Sequence, residues 1–207
     1  MADLHIEKKL WDRGLRYVAG LDEAGRGPLA GPVVAAAVVF PFYIDIGGIE
    51  DSKKLTEKAR EELFGIITRS AVGIGLGIVD HRVIDEVNIL NATFRAMHSA
   101  ISRLSREPDY LLIDGPYFSG ANIPFSAIVN GDSISASIAA ASIVAKVMRD
   151  RLMRQYDAVY PQYGFASHKG YGTRRHIDAI RKFGMCTIHR KSFHVSSLEK
   201  PEDGTAP

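Results

Sequence analysis

Residues 17 to 40 read Tyr-Val-Ala-Gly-Leu-Asp-Glu-Ala-Gly-Arg-Gly-Pro-Leu-Ala-Gly-Pro-Val-Val-Ala-Ala-Ala-Val-Val-Phe. Two short apolar runs flank a polar knot of Asp22, Glu23, Gly25, Arg26 and Gly27. Runs of this length, rich in β-branched residues and bounded by Gly and Pro, are buried strands joined by a turn. A buried strand that ends in two adjacent acids is unusual, because burying a carboxylate is costly unless a partner or a cation offsets it. Two readings fit this stretch: an ion pair with Arg26 at a strand end, or a cation site with a glycine-flanked arginine beside it.

The rest of the chain supplies more strands and helices. After a loop at 41–50, Asp51-Ser52-Lys53-Lys54-Leu55-Thr56 leads into a helix from Glu57 to Arg69, with Thr56 as N-cap and Glu57, Glu61 and Glu62 favouring its positive start. From Ala71 to Val79 glycine alternates with apolar residues, which predicts a strand with one bare face and something packed close against it. Val83, Val87, Leu90, Phe94, Met97, Ile101 and Leu104 form one stripe of a helix over 82–104. Further strands are predicted at 109–114 and 125–129. A second long helix, from Ser133 to about Tyr156, begins with Ser and Ala and turns basic. Thr173 caps a last helix that ends before Gly184. Strands interleaved with long helices indicate an α/β or mixed α+β sheet.

Composition narrows the setting. A chain of 207 residues suits one domain, or one with an appendage. Its longest apolar stretch, Val33 to Phe40, is too short to span a bilayer, and the charged segment Met1–Trp11 carries no secretory signal. With Cys186 as the only cysteine, no disulfide forms within the chain, and a reducing cytoplasm is the expected location. The net charge of +2 conceals an asymmetry: residues 141–191 hold 11 Lys/Arg against 3 Asp/Glu, so the remainder is acidic. A basic flank beside an acidic body suits a polyanion on one side and a cation on the other, although two solvated helix faces would give the same count.

Acids mark the predicted strand ends: Asp22-Glu23, Asp114, and Asp132 just past the strand at 125–129. Four acids in one cleft cannot all ionise without a cation. No His or Cys shares these positions, and all-oxygen ligation suits Mg²⁺ or Mn²⁺. Two such ions about 3.5–4 Å apart would stabilise both oxygens of an in-line phosphoryl displacement. Adjacent strand residues face opposite ways, so a shared ion requires a backbone bend at Glu23 or ligation through a carbonyl. Each acid also has a structural alternative: an N-cap at Asp132, a turn at Asp114, a pair with Arg26 for Asp22-Glu23. Spacing alone leaves both sets open.

The motifs taken together are more specific. In order they are Gly20-Leu21-Asp22-Glu23-Ala24-Gly25-Arg26-Gly27-Pro28, Asp51-Ser52-Lys53-Lys54-Leu55, Leu112-Ile113-Asp114-Gly115, Gly131-Asp132-Ser133, Ile138 to Val147, Arg149-Asp150, and His168-Lys169-Gly170-Tyr171-Gly172-Thr173. From about Tyr17 to Phe193 the chain closely resembles the bacterial type 2 ribonucleases H, the ribonuclease HII family. The related type 3 enzymes carry an extra N-terminal domain; only Met1–Arg16 precedes the first strand here, which favours type 2.

The resemblance implies a ribonuclease H-like α/β fold: a five-stranded mixed sheet flanked by helices, with a small helical C-terminal part. The expected division is an extension at 1–16, a catalytic core at 17–160, a helical substrate-binding part at 161–199 and a disordered tail at 200–207. It also implies an endonuclease that cuts RNA in RNA–DNA hybrids and incises 5′ to single ribonucleotides in duplex DNA, leaving 5′-phosphate and 3′-hydroxyl ends. Asp22, Glu23, Asp114 and Asp132 match the family's catalytic acids, with two Mn²⁺ or Mg²⁺ ions as cofactor. Gly25, Arg26 and Gly27 match its ribonucleotide-contacting turn, and Tyr171 its junction tyrosine; taken alone, Tyr171 reads rather as a loop aromatic packed on the core, and the intact motif reverses that reading. Lys146 and Arg149, three apart on one helix face, join Lys53 as phosphate-contact candidates, with a solvated helix face as the alternative for Arg149. The partners expected are RNA–DNA hybrid and ribonucleotide-containing duplex, with no membrane. A monomer is expected, and the tail is the place for a DNA-clamp contact. The seven histidines show no ligand spacing and receive no role.

Overall fold

The computed structural model describes residues 1–44, Ile49 and 55–193. Lys53 and the tail beyond Phe193, with its proposed clamp contact, lie outside the described residues. Five strands, β1 (Val18–Ala24), β2 (Val33–Val39), β3 (Gly73–Val79), β4 (Tyr110–Asp114) and β5 (Phe125–Ile128), form one sheet in the order β3-β2-β1-β4-β5. β2 runs antiparallel to β1 and β3, whereas β4 is parallel to both β1 and β5. The mixed five-stranded α/β architecture is therefore as expected from the sequence.

Helices cover both faces. On one, α4 (Ala136–Val159) packs with α1 (His5–Trp11) and α2 (Glu57–Ser70) against Val18, Ala36, Val38 and Leu112. On the other, α3 (His81–Ser102) covers Ala19, Leu21, Ala35, Ala37, Leu111 and Ile113. The Ser/Ala half of α4 lets it lie almost on the sheet: a Cβ on Gly20 would fall inside the backbone of Ser137 and Ile138. The bare face of β3 is filled in the same way, with the carbonyls of Ala96 and Ala100 of α3 where Cβ atoms of Gly77 and Gly75 would stand.

Two helices differ from the sequence reading. α3 does not present a single stripe, because Asn88 breaks it at φ 68°, ψ 166°. The Asn88 side chain accepts from Asn91 N at 3.0 Å and so restarts the helix as a cap. The second half is re-phased to bury Ala92, Ala96, Met97 and Ala100, and Leu90 is exposed. α4 starts at Ala136, later than Ser133. Ser135 is its N-cap, accepting from Ile138 N, and Gly131–Ser133 is a separate 3₁₀ turn entered through Asn130 in the left-handed region (φ 56°).

The segment Met1–Arg16 is integrated into this core. Glu7, buried on α1, accepts from Ser135 Oγ (2.6 Å), Ser137 N (2.9 Å) and Ser137 Oγ (2.5 Å), so its carboxylate sits against the start of α4. At the other end of the chain, α6 (Arg174–Phe183) begins at its Thr173 cap and stops at Gly184. It packs with Tyr163, Phe165, Met153 and Ile188 into a third apolar cluster. The short helix α5 (Phe165–His168) lies between α4 and α6.

Three of the histidines set aside in the sequence reading, His168, His176 and His189, gather here. His176 Nδ1 donates to the Tyr171 carbonyl (2.9 Å) and its Nε2 meets His189 Nε2 at 3.0 Å. Burial holds His176 down to about 4 and lowers His168 and His189 as well. A base depressed in the folded state takes its proton preferentially in the unfolded chain. Its contribution to stability is therefore intact above the ordinary 6.5 and lost as pH falls from there toward 4. For His176 alone the loss is on the order of 3 kcal/mol at about 1.4 kcal/mol per pH unit. Urea midpoints should drop steeply between pH 6.5 and 4.5; a flat profile there would contradict neutral burial.

Candidate active site

Strand alternation assigns the acids to their places. Asp22 lies in phase with Val18 and Gly20, and Asp114 with Leu112, so both face α4. The parallel pairing ends at Leu21–Ile113, which puts Asp22 and Asp114 one step further on, side by side. Asp132 comes from the 3₁₀ turn, and that turn is tied to the strand end: Gly131 N donates to Asp114 Oδ1 at 2.7 Å. One carboxylate oxygen from each of Asp22, Asp114 and Asp132 lies within 4.8 Å of the others. Asp22 is 4% and Asp132 3% exposed. The N-cap and turn alternatives do not describe these residues: Ser135 caps α4, and Asp114 is the last residue of a strand.

The predicted bend at Glu23 does not occur. β1 keeps its ladder with β2 through Glu23–Ala35 and Ala24–Val34, so Glu23 falls on the α3 side, in phase with Leu21. Three aspartates form the cluster, and Glu23 lines the same cleft beside it. Glu23 Oε1 accepts from Arg26 Nη1 at 3.3 Å, so the ion pair weighed in the sequence reading is present beside the triad.

Asp22, Glu23 and Asp114 open onto a cleft of about 250 Å³, lined also by Ser142, Lys146, Tyr171 and the turn from Ala24 to Gly27. Burial raises the Asp22 carboxyl well above the usual range, repulsion from Glu23 and Asp114 adds to it, and hydrogen bonds from Glu23 N (2.6 Å) and the Ser142 hydroxyl oppose it. Burial raises Glu23 too, against the pull of Arg26. Adjacent acids that ionise reluctantly would have their charged forms stabilised by a divalent cation held between them. The donor set is oxygen only, which fits a hard divalent ion such as Mg²⁺ or Mn²⁺.

The candidates outside the acids divide. Tyr171, 45% exposed, lies over Gly27: a Cβ there would come within 3.7 Å of its ring. Lys146 lines the cleft with Nζ 2.8 Å from Asp150 Oδ1. Arg149 is a correction. It is neither on a solvated face nor open to a phosphate; it is 1% exposed, and its guanidinium donates to the carbonyls of Pro32 (3.0 Å), Lys169 (3.0 Å) and Ala30 (3.2 Å). Ser142 and Arg190 were missed. A serine in a Ser/Ala helix reads as packing, and Arg190 stands in a stretch with no periodic pattern.

Solved structures share this architecture. The ribonuclease H2 of Pyrococcus horikoshii OT3 is 28% identical with a TM-score of 0.69, covering 85% of this chain and 93% of that one. The PCNA:RNase HII complex from Archaeoglobus fulgidus gives 25% identity and a TM-score of 0.73, covering 86% and 96%. Fold and acidic site together define an enzyme of the ribonuclease H class. The sequence is more specific still: the profile of the family described as Ribonuclease HII matches residues 19–196. Ribonuclease HII of Acetivibrio thermocellus is 58% identical over 187 residues, 90% of this chain and 73% of that one. The chain belongs to the ribonuclease HII family.

Proposed function

We propose that this protein, acting as a monomer, hydrolyses the RNA strand of RNA–DNA hybrids and incises 5′ to single ribonucleotides embedded in duplex DNA. The observation that carries this reading is the triad of Asp22, Asp114 and Asp132 within 4.8 Å, two of whose members, Asp22 and Asp114, line a cleft also walled by Gly25, Gly27 and Tyr171. Asp22, Asp114 and Asp132, with Glu23 at the rim, would hold Mn²⁺ or Mg²⁺. Bound there as a pair, such ions supply a nucleophilic water and neutralise the leaving 3′-oxygen, giving 5′-phosphate and 3′-hydroxyl ends.

The chain's own residues orient the substrate. Asp114 is fixed by Gly131 N, and Asp22 by Glu23 N and Ser142, so the acids are placed before any ligand arrives. Gly27 lets backbone approach a ribose that a side chain would obstruct, Gly25 turns the chain at φ 103°, where a Cβ would strike Arg149, and the 2′-hydroxyl is the group that distinguishes RNA from DNA. Tyr171 offers a half-exposed ring beside Gly27 for the deoxyribose at the junction. Lys146 adds positive charge on the phosphate side without reading sequence.

Three end-labelled duplexes test the reading: continuous RNA–DNA hybrid, DNA with one ribonucleotide, and DNA alone, each with Mg²⁺ or EDTA. Cuts in the first two, on the 5′ side of the ribonucleotide and only with metal, are expected. Equal cutting of plain DNA would indicate a general carboxylate nuclease, and binding without cutting a recognition module. Tyr171→Ala should reduce single-ribonucleotide cleavage about tenfold more than hybrid cleavage, the lower end of a stacking contribution of roughly 1–3 kcal/mol. Equal losses on both substrates would contradict junction sensing.

A further inference from the structure

Arg190 reaches the Gly25–Gly27 turn from behind. It is 1% exposed, and its guanidinium donates from Nη2 to the Gly25 carbonyl (2.6 Å), from Nη1 to the Arg26 carbonyl (2.9 Å) and from Nε to the Gly31 carbonyl (3.0 Å). Arg149 holds the neighbouring carbonyls of Ala30 and Pro32. Both buried cations thus spend these donors on backbone carbonyls. Burying a guanidinium in this way is costly: burial, with Arg149 nearby, lowers Arg190 to about 9.

The arrangement has a geometric consequence. Among the described residues no peptide bond is cis. In a trans peptide the carbonyl and the following N–H point in opposite directions. With the carbonyls of Gly25 and Arg26 turned inward onto Arg190, the N–H groups of Arg26 and Gly27 are turned outward, where these residues line the cleft. Successive outward amides form an anion-facing pair that needs no rearrangement on binding. From outside, Asp85 of α3 secures the segment that carries Arg190: it accepts from Lys191 N (3.0 Å), Ser192 N (2.9 Å) and Ser192 Oγ (2.6 Å).

We propose that Arg190 is a positioning residue that presets the Gly25–Gly27 turn for the ribonucleotide and its phosphate, with Asp85 holding Arg190 in register. The proposal rests on the nucleolytic reading above. Lysine cannot replace arginine here, since a single ammonium on a flexible stem does not present the planar fork that spans two adjacent carbonyls.

The test compares wild type, Arg190→Lys and Asp85→Ala on duplex DNA with one ribonucleotide, with Mn²⁺ affinity and urea midpoint measured in parallel. Wild-type cleavage, scored first, tests the reading of the preceding section; the ratio of variant to wild type tests Arg190. The expected result for Arg190→Lys, at a temperature where it is folded, is normal Mn²⁺ affinity and kcat/KM lower by about 10²-fold, the effect of a misplacement near 1 Å. Asp85→Ala lies on the surface side and should fall in the same direction by a smaller factor. A purely structural role predicts full kcat/KM per folded molecule, with the loss confined to the urea midpoint, and that result would overturn the proposal. Should Arg190→Lys not fold, Asp85→Ala decides it: reduced kcat/KM with normal Mn²⁺ affinity supports the role, and unchanged kcat/KM refutes it.

Discussion

Asp22→Asn should fold at least as well as wild type and lose nearly all cleavage. Asp22 is buried between Glu23 and Asp114, and both burial and repulsion raise its pKa. A carboxyl raised in the folded state favours folding below its unfolded pKa and loses that contribution as pH rises through its folded value. At neutral pH and without metal, Asp22 therefore works against the fold, because its charged form is better accommodated in the unfolded chain. Asparagine keeps the shape and removes the charge, so the thermal midpoint in EDTA should be unchanged or raised. The same change removes a carboxylate that the proposed metal site would use as a ligand. Cleavage of the single-ribonucleotide duplex should fall by about three orders of magnitude, roughly 4 kcal/mol of transition-state stabilisation. The two effects point in opposite directions, which separates this prediction from simple unfolding. Near-normal turnover in Mg²⁺ would remove Asp22 from the mechanism.

The largest stability effect is expected from a single added methyl group, in Gly20→Ala. The Cβ would overlap the carbonyl carbon and oxygen of Ser137 and the nitrogen of Ile138. These are backbone atoms at the start of α4, so no side-chain rotation relieves the overlap. The helix must lift off β1, and it carries Ser135 and Ser137, which hold Glu7, and Ser142, which bonds Asp22. Overpacking of a core commonly costs about 1–3 kcal/mol, and a clash with backbone belongs at or above the top of that range. We expect urea unfolding to show a loss of at least ~3 kcal/mol, with reduced divalent-cation affinity in whatever folded protein remains. A loss under ~1 kcal/mol would mean that α4 does not lie against Gly20 as described.

Much of this was legible in the sequence, for reasons that differ by element. The strands were readable because each is short, apolar and closed by Gly, Pro or an acid, and the glycine alternation of β3 announced the close approach of Ala96 and Ala100. Helix starts were readable where a side chain caps them, as at Thr56 and Thr173. The break at Asn88 was not, because the stripe from Val83 to Leu104 fits an unbroken helix and only the tertiary demand of the β3 glycines favours small residues at the contact. For the acids, alternation places Asp22 and Asp114 on one face, but nothing local shows that Asp132 arrives on a 3₁₀ turn rather than as a helix cap. The same alternation sets Glu23 apart from the triad, where a bend had been expected. Charge alone cannot distinguish an arginine that meets phosphate from one that holds carbonyls. For that reason Arg149 was assigned outward and Arg190 was passed over, while the structure has both supporting the loop from Gly25 to Pro32.

Whether the aspartates hold a divalent ion is the point on which the enzyme reading turns, and Mn²⁺ binding measures it without reference to cleavage. Titrating protein into Mn²⁺ while following the free-ion electron paramagnetic resonance signal should show uptake by wild type. Asp22→Asn and Asp132→Asn should each weaken that uptake by more than the roughly 10- to 100-fold typical of losing a supporting partner, because each removes a ligand itself. Wild type that leaves the signal unchanged, or variants that bind Mn²⁺ as tightly as wild type, would contradict the account.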